Sequence, residues 1–181
     1  FKDFKLSEHA TGAGFILLFI LATIVGWPSF LKIRNLTNIL RQISYTGIIG
    51  LGMTLIIISG GIDLSVGSMT AFVGGVTIFF LNIFPGDSIL AVVLASIFSI
   101  IFGGVCGLFN GLLVTKGRIA PFIATLGTMS IFRSLIQYFS GAGNVVSENI
   151  HYAYIGSAVY LGIPVPAWVF IIVAIILHIV L

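Results

Sequence analysis

Apolar residues fill this chain in long blocks, separated by short polar or glycine- and proline-bearing turns. A hydrocarbon layer about 30 Å thick takes roughly 20 residues of helix at about 1.5 Å rise each. The first such block is 12–30, preceded by Lys2, Lys5 and Glu8 and closed by Trp27 and Pro28, which read as an interfacial end. No small-residue cleavage pattern follows it, so a membrane span is preferred to a signal peptide. Residues 31–42 are more polar and hold Lys32, Arg34 and Arg41, while Ile33, Leu36, Ile39 and Leu40 recur at helical spacing. That pattern predicts a short helix lying in the interface. Further spans are predicted at 43–59, 66–84, 88–114 and 121–140. The fourth of the series is long enough to tilt, and the fifth opens on Pro121, at a favoured first helical position. A loop at 141–158 precedes a sixth span, which begins near Val159 or Trp168 and runs to the last residue.

Composition makes the membrane reading firm. Of 181 residues, 59% are hydrophobic and only 7% charged, and the mean hydropathy is +1.23. A soluble domain carries about 25% charged residues, so the polar groups here are too few to cover a water-facing surface. The net charge of +3 does not suggest a nucleic-acid module, because the eight Lys and Arg are scattered and form no basic stripe. The fold class predicted is all-α, a polytopic transmembrane helix bundle forming a single domain over 1–181. Phe1 in place of an initiator Met, and a stop at Leu181 inside a hydrophobic run, lead us to expect the front part of a longer polypeptide.

Lys and Arg in short loops set orientation. Lys116 and Arg118 place the 115–120 turn in the cytoplasm, and the loops around Asp87 and Glu148, free of Lys and Arg, outside. Six spans then put the N-terminus inside, by four basic residues (Lys2, Lys5, Lys116, Arg118) to three (Lys32, Arg34, Arg41). Treating 43–84 as one broken crossing would give five to two with the N-terminus outside, but 42 residues are too many for one crossing.

Few residues offer chemistry. Cys106 is the single cysteine and lies in an apolar run, which excludes a disulfide framework or a multi-cysteine metal site within one chain. His9, His151 and His178 show no metal-ligand spacing. No glycine loop ending in Lys-Ser/Thr is present, and no nucleophile–base constellation, so neither nucleotide hydrolysis nor other enzyme chemistry is expected of this chain. Gly103, Gly107 and Gly111 fall on one helical face, as do Gly47, Gly50 and Thr54 less strongly; small residues at that spacing let helices pack closely in lipid.

Two polar features interrupt the apolar blocks. In Ser-Gly-Gly-Ile-Asp-Leu-Ser-Val-Gly-Ser at 59–68, Gly60 and Gly61 break the helix and free backbone groups that need partners, with Asp63, Ser65 and Ser68 close by. An aspartate at membrane depth costs roughly 2.5–3.5 kcal/mol on insertion scales. It has two compatible readings: a role in a transport path or in coupling to a partner, or a cap on the third span that accepts the amides of Val66 or Gly67. The second feature is the stripe Ser130, Arg133, Gln137 and Ser140, at spacings of three and four on the fifth span. It could supply hydrogen bonds to a passing polar solute, or Arg133 could snorkel to the outer headgroups. Asp63 is the intramembrane carboxylate with which Arg133 could pair.

The chain resembles a family along three collinear stretches, within 38–68, at 110–127 and at 161–168. Asn-Ile-Leu-Arg-Gln-Ile-Ser at 38–44, Gly-Met-Thr-Leu at 52–55 and the 59–68 string are similar to the ribose-type permease subunits of bacterial ABC sugar importers. So are Asn-Gly-Leu-Leu-Val-Thr-Lys-Gly-Arg-Ile-Ala-Pro-Phe-Ile-Ala-Thr-Leu-Gly at 110–127 and Leu-Gly-Ile-Pro-Val-Pro-Ala-Trp at 161–168, so the likeness runs from about 28 to 181. The resemblance implies an architecture like that of cobalamin-type importer permeases, with about ten helices, two permease copies side by side and a cytoplasmic N-terminus in the bacterial inner membrane. It further implies a separate cytoplasmic ABC ATPase that binds ATP and Mg, a periplasmic sugar-binding protein, and a fifth helix lining the path. The loop contacting the ATPase would follow the sixth helix, beyond this sequence. On these grounds the expected function is ATP-driven import of a monosaccharide or similar small polar solute. An ion-coupled carrier or channel independent of ATP is the alternative, since broken helices also serve ion-coupled transport.

Overall fold

A computed structural model describes residues 6–181, with side chains from Ala10 onward. Lys2 and Lys5, and the side chains of Glu8 and His9, lie outside the described residues. Seven helices and one small hairpin follow in order: α1 (Leu6–Val25), α2 (Ile33–Ile58), α3 (Val66–Leu81), α4 (Ile89–Thr115), α5 (Pro121–Phe139), α6 (Ile150–Ser157), β1 (Val159–Tyr160), β2 (Ile163–Pro164) and α7 (Val165–Val180). α2 and α4 are long and apolar enough to cross a membrane, and residues Ala10–Val25, α3 and α7 form shorter apolar helices.

Helix ends follow local chemistry. Ser88 caps α4, its Oγ accepting the Ala91 amide at 3.3 Å, and Pro121 opens α5, where its missing N–H costs nothing. α2 stops where Gly60 turns left-handed at φ +79°. There the Gly60 amide donates to the Ile57 carbonyl and the Gly61 amide to Ile56, both at 2.9 Å, so carbonyls freed by the break are taken up locally.

The observed elements depart from the sequence reading in two places. Residues 33–42 are helical but continue without interruption into α2, so the polar stretch is the first part of one 26-residue helix rather than a separate short one. Polarity changes at residue 42, but no Gly or Pro stands there to interrupt the backbone ladder. The 141–158 loop also contains α6, capped by Asn149, whose Oδ1 accepts the His151 and Tyr152 amides at 3.0 and 3.3 Å. An antiparallel pairing of β1 with β2 then leads straight into α7 at Val165. Eight residues and a two-residue pairing are too short to leave a periodic signal.

α3 packs against both α4 and α5, and α2 packs against α7. Between α3, α4 and α5, Phe72, Cys106 and Phe132 are buried, and the rings of Phe72 and Phe132 stack 5.5 Å apart. A second cluster of Leu81, Ala91, Val92 and Ala95 joins the end of α3 to the start of α4, with Tyr152 of α6 packed on it. Burial there pushes the Tyr152 phenol above its ordinary range, and the neighbouring Tyr45 adds to the shift. Outward faces are apolar: Ile100 is 77% and Leu108 62% exposed, whereas Ser44, Ser65, Thr125 and Thr128 are buried. Large apolar groups outside with small polar ones inside is the arrangement that hydrocarbon selects.

Two glycines sit where helices meet most closely. A Cβ on Gly75 of α3 would overlap Ile136 of α5, and one on Gly47 of α2 would fall 2.7 Å from the Phe170 ring of α7. The α4 stripe differs: Gly103 meets Val73 at an ordinary 3.8 Å, while Gly107 and Gly111 have nothing among the described residues within 4 Å of a Cβ. Gly50 is also open. Close approach in this chain therefore falls at Gly47 and Gly75. Gly47→Ala should cost about 1–3 kcal/mol through overpacking against a rigid ring, measured as a loss of unfolding free energy in detergent.

Candidate functional site: a buried polar relay beside a broken helix

The α2–α3 break brings a carboxylate inside the bundle. Asp63 is 9% exposed, and its Oδ1 accepts both the Ser65 amide at 2.7 Å and the Ser65 hydroxyl at 2.6 Å. A carboxylate reaching the amide two residues on is an Asx turn. This corrects the cap read from the sequence: the amide held belongs to Ser65, not to Val66 or Gly67. The N-cap position of α3 is Ser65, and Asp63, two residues before it, turns its carboxylate onto the Ser65 amide and hydroxyl.

Ser65, 0% exposed, passes the interaction on. Its hydroxyl accepts from Asn110 Nδ2 of α4 at 2.7 Å. Ser65 has one hydroxyl proton, and Asp63 takes it as an acceptor, so the Asn110 atom facing Ser65 must be its donor nitrogen. The amide oxygen of Asn110 is then directed elsewhere. It is buried and accepts no hydrogen bond from the described residues. Thr125 of α5 completes the cluster: its hydroxyl donates to the Pro121 carbonyl at 2.7 Å and leans toward the Ile62 carbonyl at 3.4 Å. One broken segment is thus tied to α4 and leans on α5.

A cavity of about 570 Å³ opens beside this relay, with Ser59, Gly60, Asp63, Asn110, Gly111 and Thr125 in its wall. Asn110 lies five residues before the end of α4, about 7.5 Å by rise, and Thr125 four residues after the start of α5, about 6 Å. The relay therefore sits one to one and a half turns in from the 115–120 turn.

The stripe on α5 is elsewhere. Ala124, Thr125, Thr128 and Phe132 form the packed face of the helix. Ser130, Arg133 and Gln137 are exposed and Ser140 is partly covered, so all four occupy a face left open by this chain. Ser130 and Ser140 return their hydroxyls to the Leu126 and Gln137 carbonyls. Arg133 does not meet Asp63: it is eight residues beyond Thr125, about 12 Å further along α5. Gly107 and Gly111 line the cavity rather than a helix seam. His151 is partly covered in α6, and His178 is exposed in the last turn of α7.

Asn110 and Thr125 were not singled out from the sequence. The signal available was Asn110 itself, an amide inside the apolar run of α4, since such a residue in lipid needs a partner on another helix.

Comparison with known proteins gives the class. Residues 35–181 match the family described as branched-chain amino acid transport system / permease component, and the chain belongs to that family. It is 41% identical over 171 residues to the ribose import permease protein RbsC of Bacillus subtilis, covering 92% of this chain and 52% of that protein. Over 178 residues it is 40% identical to the D-allose transport system permease protein AlsC of Escherichia coli, covering 97% of this chain and 53% of the relative. It is also 36% identical over 155 residues to the galactose/methyl galactoside import permease protein MglC of Escherichia coli, covering 80% and 46%. The chain thus spans about half the length of the curated relatives it matches. No solved structure matches it. The all-α bundle with apolar outward faces is a membrane-embedded permease fold.

Ser65→Ala removes the centre of the relay and leaves Asp63 and Asn110 each short of a partner. It should cost about 1–3 kcal/mol, whereas Ser96→Ala on α4, whose hydroxyl only returns to the Val92 carbonyl, should stay within about 0.5 kcal/mol. Reversible unfolding in mixed micelles reads the difference.

Proposed function

We propose that this chain belongs to the membrane-spanning subunit of an ATP-driven importer that moves a monosaccharide or a similar small polar solute across a bacterial inner membrane. The observation that carries the reading is the match over most of the chain to permeases named for ribose, D-allose and galactose import. Within the family, those relatives favour a sugar over a branched-chain amino acid.

In this reading two permease copies, built like the cobalamin-type importers, enclose a path that opens alternately to either side. A separate cytoplasmic ABC ATPase binds and hydrolyses ATP with Mg, and a periplasmic sugar-binding protein delivers the solute. On the same reading the 115–120 turn, with Lys116 and Arg118, is cytoplasmic, the Asp63 relay lies near the inner face and the N-terminus is inside; the basic residues of that short turn support it. The open face of α5 then borders the path. A solute leaving water must replace its hydration, and Ser130, Arg133, Gln137 and Ser140 offer donors and acceptors along about 15 Å of helix. Asp63 and Ser65 hold the broken segment at Gly60 and Gly61 in place beside it.

The test is uptake by the complete transporter in proteoliposomes, with its ATPase and binding protein. Arg133→Ala combined with Gln137→Ala should lower uptake about tenfold or more, equivalent to about 1.4 kcal/mol or more of barrier. Wild-type uptake from the double variant would remove these residues from the path. Uptake driven by an ion gradient without ATP would replace the importer with an ion-coupled carrier.

A further inference from the structure

We propose that the cavity beside the Asp63 relay binds a monovalent alkali cation. Most of the protons in its wall are already spent. Each wall hydroxyl has committed its hydrogen to a backbone carbonyl: Ser59 to Ile56 at 2.7 Å, Thr115 to Gly111 at 2.7 Å and Thr125 to Pro121 at 2.7 Å. Asn110 has spent an amide hydrogen on Ser65, and Ser65 its own on Asp63. Besides the second Asn110 amide hydrogen, what these groups still offer is lone pairs: the hydroxyl oxygens, the second carboxylate oxygen of Asp63 and, buried just behind the wall, the unpartnered Asn110 Oδ1.

Charge points the same way. Asp63 is the one ionisable side chain among the described residues lining the cavity, and no Lys, Arg or His is in that lining. A sugar presents acceptors as well as donors, and among these side chains its acceptors would find only the second hydrogen of Asn110 Nδ2. A cation needs oxygen lone pairs and nothing else. One carboxylate balances one positive charge, whereas calcium sites gather 6–8 oxygens, commonly with several carboxylates. Asn110 contributes its free oxygen, and Ser65 acts as a positioning residue that orients both oxygen-bearing groups.

The site is independent of which solute the protein carries, and its test does not use transport. The full-length protein in detergent is unfolded thermally in NaCl, KCl, LiCl or choline chloride at matched ionic strength and pH. An alkali chloride should raise the midpoint saturably where choline does not. Asp63→Asn and Asn110→Leu should weaken the half-saturating concentration about tenfold or more, and Ser65→Ala by a similar factor through misplacement of the ligands. Equal midpoints in all four salts, or an alkali effect that survives in these variants, would overturn the proposal. Should the variants not fold, crystals of the wild-type protein soaked in thallium(I) decide it. An anomalous peak against Asp63 supports the site, and an empty cavity in a crystal with thallium bound elsewhere overturns it.

Discussion

A backbone that leaves its helix inside hydrocarbon must find partners within the protein, because no water is there to supply them. The interruption between α2 and α3 is where this constraint bears hardest, and the rest of the bundle is arranged around meeting it. Gly60 and Gly61 return their amides to the last turn of α2, Asp63 takes the Ser65 amide, and Ser65 passes the connection to Asn110. Asp63, Ser65 and Asn110, joined by three hydrogen bonds, fix a turn shared by α2, α3 and α4.

The same solvent explains why the interior is polar. Burying leucine against leucine gains little when lipid is equally apolar, so association rests on close packing and on hydrogen bonds between helices. Gly47 under Phe170 and Gly75 under Ile136 provide the first, and Asn110 to Ser65 provides the second. At the other end, Asn82 donates to the Val146 carbonyl at 3.0 Å and Asp87 accepts the Ile150 amide at 2.7 Å, fastening the segment after α5 to the α3–α4 turn. The α3–α4–α5 group is thus held at both ends by polar contacts, with stacked phenylalanines between them.

Much of this was legible in the sequence, for physical reasons. Block length and the breakers Gly60, Pro85 and Pro121 locate the long helices closely, since a span needs a run of fixed length and those residues cannot sit inside one unnoticed. The continuity of α2 was not legible, because polarity at 31–42 reports where side chains go rather than whether the backbone ladder continues. Asp63 and Ser65 announced themselves as polar groups at a break, but their partner Asn110 is 45 residues away from Ser65, and spacing along a chain carries no signal for such a pair. The Gly103, Gly107 and Gly111 stripe shows the converse: the three share a face, yet among the described residues only Gly103 meets another helix, at ordinary contact distance.

The central claim is that Ser65 and Asn110 act as one unit in holding the broken helix. A double-mutant cycle measures it most directly: the unfolding free energies of Ser65→Ala, Asn110→Leu and the double variant against wild type, in one detergent condition. The account predicts a coupling of about 0.5–3 kcal/mol between the two positions. Additive losses, agreeing within about 0.5 kcal/mol, would contradict it and leave the two residues as independent occupants of the interior.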